Sequence, residues 1–174
     1  MEKEVLLDKK NLVEYIISAY NERFKRKITP IKLQKSLYFL YAMWGGKIMI
    51  ASGQSEEDTE CDELYGRFTK ELFEAQFLAW RYGPIDKEVY DNYRDDKYNF
   101  EIENIELQFK SNDEEENFTA KDYIDNLLRR IFITSDFALV DLSHEDKCWK
   151  NAVNTPGQKM SNECILNEYA TKSL

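Results

Sequence analysis

Ser143, His144 and Glu145 stand in direct succession, and of the 174 residues they come nearest in type to a nucleophile, a base and an orienting carboxylate. A catalytic triad is assembled through space from separated positions, so immediate neighbours in sequence are poorly placed to serve one another. Ser143 also precedes Asp146 by three residues, the spacing of a capping box, and is read as the start of a helix running through Val153. His144 is then expected to make a hydrogen bond that locks the start of this Trp149-bearing helix to a neighbouring element. No residue is assigned as catalytic. The carboxylates offer many acid–base pairs, but no spacing selects one, and GxSxG, HExxH, Walker and GxGxxG patterns are all absent.

Cys61, Cys148 and Cys164 are widely scattered, have no CxxC spacing, and share the chain with a single histidine. That pattern argues against a disulfide framework and against a zinc site, whose ligand pairs usually lie close in sequence. No metal and no cofactor is expected.

Charge is the next source of chemistry. The net charge is −9, but residues 1–50 hold 5 acidic against 10 basic side chains, residues 51–119 hold 20 against 7, and residues 120–174 hold 8 against 7. The acidic middle opposes generic binding to phosphate backbones and suits solubility or contact with a basic partner. Glu56, Glu57, Asp58, Glu60 and Glu63 lie in a polar stretch at about 52–63 without buried periodicity, read as a surface insertion and a candidate partner-binding loop. Arg23, Lys25, Arg26 and Lys27 form the one dense basic cluster, placed where a helix should end and where its dipole favours cations. DNA binding through it is not the favoured reading.

The elements that must position these groups are mainly helical. Asp8 can cap a helix over about 9–23 that carries Leu12, Tyr15, Ile16, Ala19 and Tyr20 on one side. Thr29 followed by Pro30 starts a central core helix with Leu33, Leu37, Leu40, Tyr41 and Trp44 as its stripe, and Gly45-Gly46 is expected to end it. Leu72, Phe73, Phe77, Leu78 and Trp80 fit a buried strand or a helix, and Tyr82-Gly83-Pro84 then forces a tight turn. Asp86 caps a helix with Val89, Tyr90 and Tyr93.

Alternation through Phe100, Ile102, Ile105, Leu107 and Phe109 suggests a short strand or small hairpin, and the acidic run at 113–116 reads as a loop. A helix opening at Thr119–Asp122 and one capped by Ser161 with Ile165, Leu166 and Tyr169 complete the chain. With 43% hydrophobic residues and no interdomain linker, the expectation is a single compact domain over 1–174, mainly α with at most a short β-hairpin. At this size about 70% of the unfolded surface can be buried. No run approaches the ~18 apolar residues of a membrane span and the charged N-terminus lacks a signal-peptide core, so a cytoplasmic location is expected.

Three motif clusters remain: Leu33-Gln34-Lys35-Ser36-Leu37-Tyr38-Phe39; Ala79-Trp80-Arg81-Tyr82-Gly83-Pro84-Ile85 with Glu88-Val89-Tyr90; and Leu142-Ser143-His144-Glu145 with Trp149-Lys150-Asn151-Ala152. Taken singly, Leu33, Leu37 and Tyr38 read as core, Gln34 and Lys35 as exposed or bonded to loop backbone, and the Trp80 to Pro84 cluster as a core-filling turn or an interface anchor. In order and separation the three clusters resemble the Panacea domain, the family of SocA-like antitoxins and phage-associated GepA-like proteins. The likeness extends from about Leu12 to Tyr169. It departs at Ser36, where the family usually has Leu, at Ser143, where it has Thr, and in the length of the acidic insertion.

The resemblance implies a helical, non-enzymatic antitoxin that neutralises a protein toxin, usually encoded beside it, by direct binding. Its motif residues Leu33, Gln34, Lys35, Tyr38, Trp80, Tyr82, Gly83, Pro84, Ser143, His144 and Trp149 would then define the scaffold or touch the partner. The alternative is a phage or mobile-element protein that inhibits a host defence protein through its acidic surface.

Overall fold

A computed structural model describes residues 4–53, 71–99 and 104–172. Within them the chain forms seven helices and a two-stranded antiparallel hairpin: α1 (Lys9–Phe24), α2 (Pro30–Gly53), β1 (Phe77–Trp80), β2 (Gly83–Asp86), α3 (Lys87–Arg94), α4 (Glu114–Ile133), α5 (Asp136–His144), α6 (Lys147–Ala152) and α7 (Asn162–Thr171). The mainly α reading holds.

Several boundaries follow from side chains that satisfy free helix amides. Asp8 accepts from the Asn11 amide at 3.3 Å, Thr29 from Lys32 at 3.1 Å, Asp86 from Val89 at 3.2 Å and Ser161 from Cys164 at 3.3 Å. Each of these starts is readable from the sequence.

The buried helix α2 is the axis of the fold. Leu33, Leu37, Tyr38, Leu40, Tyr41 and Trp44 are all fully buried, and Tyr38 and Tyr41 meet Phe77 with ring centroids 5.3 and 5.7 Å apart. Gly45-Gly46 does not end this helix, which continues to Gly53. The pair serves close packing instead: a Cβ on Gly46 would sit 2.7 Å from the Tyr169 carbonyl carbon and 2.9 Å from the Ala170 nitrogen. Each mid-helix glycine costs about 1 kcal/mol of helix propensity, and here the close crossing of α2 and α7 offsets it.

Other expectations are corrected. The acidic run at 113–116 is not a loop but the start of α4: Asp113 accepts from the amides of Glu115 and Glu116 at 3.1 and 3.2 Å, and Glu114, Glu115 and Glu116 fill the first turn, where the dipole favours carboxylates. Ser143 does not begin a helix. It lies in the last turn of α5, and Asp146 is the residue before α6. The hairpin lies at 77–86, and in the alternating stretch at 100–109 the described residues 104–109 form no strand. Residues 100–103 are outside the described residues, and Phe109 makes one isolated antiparallel bridge to Leu7. The acidic candidates Glu56, Glu57, Asp58, Glu60 and Glu63 also lie outside the described residues.

Cys148 and Cys164 are joined by a disulfide, which corrects the expectation, drawn from their scatter, against disulfide pairing. Sixteen residues separate them in sequence, but α6 and α7 pack side by side and bring their Cα atoms to 6.0 Å. No helix among the described residues is long and apolar enough to cross a membrane.

Candidate functional site: a clamped hairpin

The three motif clusters, far apart in sequence, meet around β1 and β2. The hairpin pairs Phe77 with Asp86 and Trp80 with Gly83, leaving Arg81 and Tyr82 as its tip. Neither tip residue has a positive φ, so the reversal falls on Gly83 at φ 99°, a conformation that disfavours any residue with a Cβ. Space gives the same answer, since a Cβ there would lie 2.7 Å from Lys35 Cε.

On one side, α2 supplies the partners that a third strand would otherwise give β2. The amide of Gln34 donates from Nε2 to the Asp86 carbonyl at 3.1 Å, while its Oε1 accepts from the Asp86 N–H at 2.8 Å. Lys35 donates from Nζ to the Pro84 carbonyl at 2.9 Å. Both side chains are buried, Lys35 to 1% exposure, so the polar residues of the helix end as hydrogen bonds to the hairpin backbone. Burial without an ion pair pulls the Lys35 ammonium down from 10.5 to about 7. Asp86 is itself tied to Lys9 at 3.1 Å while capping α3.

On the opposite side, α5 and α6 hold the turn. His144 Nε2 lies 2.9 Å from the Arg81 carbonyl, and because a carbonyl only accepts, the proton is on Nε2. The Trp149 indole donates to the Trp80 carbonyl at 2.8 Å, and the His144 and Trp149 rings stack with centroids 4.1 Å apart. Ser143 is fully buried and donates to the Val140 carbonyl at 2.8 Å, so its proton is directed into its own helix and not to His144. The outer edge of β1 is covered as well: Ala79 donates to Gln158 at 2.7 Å and Met160 to Phe77 at 2.9 Å.

A buried carboxylate ties the two sides together. Asp146, fully buried, accepts from the hydroxyls of Tyr38 and Tyr169, the latter at 2.7 Å, and from the Lys172 ammonium. Burial, reinforced in both cases by the Asp146 carboxylate, pushes both phenols far above their ordinary range. Tyr38 thus links the α2 motif to the residue that opens α6. Asp86 reads in the sequence only as a helix cap and Asp146 only as the capping-box partner of Ser143; nothing there signals their ties to Tyr169, Lys172 or Lys9.

The carbonyls of Trp80, Arg81, Pro84 and Asp86 are therefore all bonded to side chains from α2, α5 or α6, and the tip is what remains free. Arg81 is exposed and its guanidinium lies 5.8 Å from the centroid of Tyr82, which is 50% exposed. Such a tip offers a cation, an aromatic face and a phenol on a backbone fixed in advance. Among the described residues there is no group of three or more His, Cys, Asp or Glu side chains able to hold a metal.

The family profile described as Antitoxin SocA-like, Panacea domain, matches residues 62–150, just over half of the chain. That span holds the hairpin and the α5–α6 side of the clamp, including Trp80, Tyr82, Gly83, Pro84, Ser143, His144 and Trp149. No curated protein and no solved structure matches the chain. With its motif clusters converging on one hairpin and the profile covering that hairpin, the chain belongs to the SocA-like antitoxin family that carries the Panacea domain.

Proposed function

We propose that this protein is an antitoxin that neutralises a cognate protein toxin, encoded by a neighbouring gene, through direct and non-catalytic binding. The family match carries this reading. The geometry supports it in a specific way: the motif side chains of Gln34, Lys35, Ser143, His144 and Trp149 are engaged with backbone carbonyls, so they act as scaffold, and the exposed Arg81–Tyr82 tip is offered to a partner. Arg and Tyr are enriched among residues that dominate binding energy, and a tip held before contact loses little entropy on docking.

The acidic stretch contributes to encounter. Glu56, Glu57, Asp58, Glu60 and Glu63 would attract a basic toxin surface, so reversing all five to lysine is expected to slow association by about tenfold at low salt. Stopped-flow mixing of toxin with each form measures this; equal rates would remove the stretch from the mechanism. The reading as a whole is tested by co-expressing the chain with the product of its neighbouring gene. Relief of that product's growth arrest together with purification of a stoichiometric complex is the expected result. Arrest untouched by this protein would overturn it.

A further inference from the structure

Four arginines at or just beyond the C-terminal ends of α1 and α4 lack carboxylate partners. Among the described residues Arg23, Arg26, Arg129 and Arg130 are exposed and make no ion pair. Among the described residues the acidic side chains near them have other partners. Glu22 accepts from the Asn104 amide, Asp96 pairs with Lys27, Asp125 with Lys121 and Tyr15, and Asp136 with Thr29 and Lys32.

Three of the four guanidiniums also rest against neighbouring side chains. Arg23 and Arg26 lie 5.2 and 5.8 Å from the centroid of the Phe24 ring, and Arg26 Nε donates to the Tyr20 hydroxyl at 3.3 Å. Arg129 is bonded to Asn126 at 2.8 Å and lines a groove with Arg23, across which α1 faces α4. Ile133 follows Arg129 by one helical turn and Arg130 by three residues, and it is 68% exposed, as is Phe137 at the start of α5.

We propose that this face is a docking surface for an acidic segment of a partner protein that also carries apolar side chains. Fixed guanidinium forks match carboxylates, and Ile133 and Phe137 supply the apolar contacts that such a segment would cover. A nucleic acid fits less well. The Phe24 ring is already covered by guanidiniums, which leaves Phe137 as the one exposed ring among the described residues of the surface, and the chain as a whole carries a net charge of −9. The surface is opposite in sign to the acidic stretch at 52–63, so it stands apart from the toxin-facing role given to that stretch and does not depend on the partner being a toxin.

The test uses the full chain and fluorescence anisotropy with two probes: a short synthetic peptide of glutamates interspersed with leucine and phenylalanine, and a single-stranded DNA oligonucleotide of equal charge. The peptide is expected to bind more tightly than the oligonucleotide and to weaken as salt rises. Arg23→Glu combined with Arg129→Glu should weaken peptide binding at least about tenfold, while Ile133→Ser should weaken it several-fold and leave the salt dependence unchanged. Because these side chains are exposed, thermal unfolding should stay near that of the wild type, and Arg130→Glu serves as a second charge variant. The proposal is overturned if the oligonucleotide binds as tightly as the peptide, if neither probe binds, or if the charge reversals leave peptide affinity unchanged.

Discussion

Replacing Asp146 by alanine is expected to cost about 3–5 kcal/mol of folding stability, because it removes the acceptor from a buried, charged network. Tyr38, Tyr169 and Lys172 all donate to this carboxylate, and Tyr38 and Tyr169 are themselves buried. Without Asp146 two interior hydroxyls lose their partner and a cation loses its counter-charge. Each stranded buried hydroxyl costs about 1–3 kcal/mol. Asp146→Asn keeps the shape and one acceptor, so its loss should be smaller, and Tyr38→Phe, which removes one donor and leaves the rest satisfied, smaller again. Urea unfolding of the three variants measures the order. An Asp146→Ala protein within about 1 kcal/mol of the wild type would show that the network does not hold α2, α6 and α7 together.

Lys35 sets the second large effect, and its sign follows from proton linkage. Burial lowers the Lys35 ammonium to about 7, against 10.5 for the ordinary group, so between those values the unfolded chain binds more protons than the folded one. Stability therefore rises with pH through this window, by up to about 1.4 kcal/mol per pH unit, and the penalty is fully present below pH 7. The buried tyrosines act in the opposite direction at higher pH. Tyr38, Tyr41 and Tyr169 are raised by burial, so the unfolded chain loses phenolic protons first and stability falls above about pH 10. Unfolding measured from pH 6 to 9 should show the rise.

Lys35→Met should flatten that profile. It leaves the Pro84 carbonyl without its partner, at a cost of about 1–3 kcal/mol, but it also removes the buried cation. The variant should therefore compare most favourably with the wild type at pH 6 and lose ground steadily toward pH 9. Parallel profiles for the two proteins would contradict the linkage.

Local chemistry made much of this fold legible. Asp8, Thr29, Asp86 and Ser161 mark helix starts because each satisfies amides only two or three residues away, information carried within a few positions of sequence. The misreadings have a common physical origin in contacts between distant segments. Gly45-Gly46 looks like a helix end until α7 is packed against it, and Ser143 looks like a cap until α5 is seen to begin at Ser135, which accepts from the Ala138 amide. Ser135 followed by Asp136 is the local signal for that helix, a cap with a carboxylate in the first turn. The run at 113–116 resembles a loop by its charge, yet Asp113 followed by three glutamates is the pattern a helix dipole rewards.

For the site, the residue types were visible but their partners were not. Gln34 and Lys35 stood out as polar positions on a core helix, yet nothing near them in sequence points to carbonyls some 50 residues away. Trp80 to Pro84 was readable as a turn because Gly83 and Pro84 restrict the backbone locally. That Trp149 and His144 hold the same turn depends on the tertiary fold, as does the pairing of Cys148 with Cys164.

The central claim, that neutralisation is stoichiometric binding through a presented tip, is tested most directly by titrating this protein into a fixed amount of the purified toxin and following toxin activity. Inhibition should rise linearly and be complete at equimolar protein, and Arg81→Ala combined with Tyr82→Ala should weaken it by about tenfold or more with unchanged thermal unfolding. Complete neutralisation at a small fraction of an equivalent, or full-strength inhibition by the tip variant, would contradict the account.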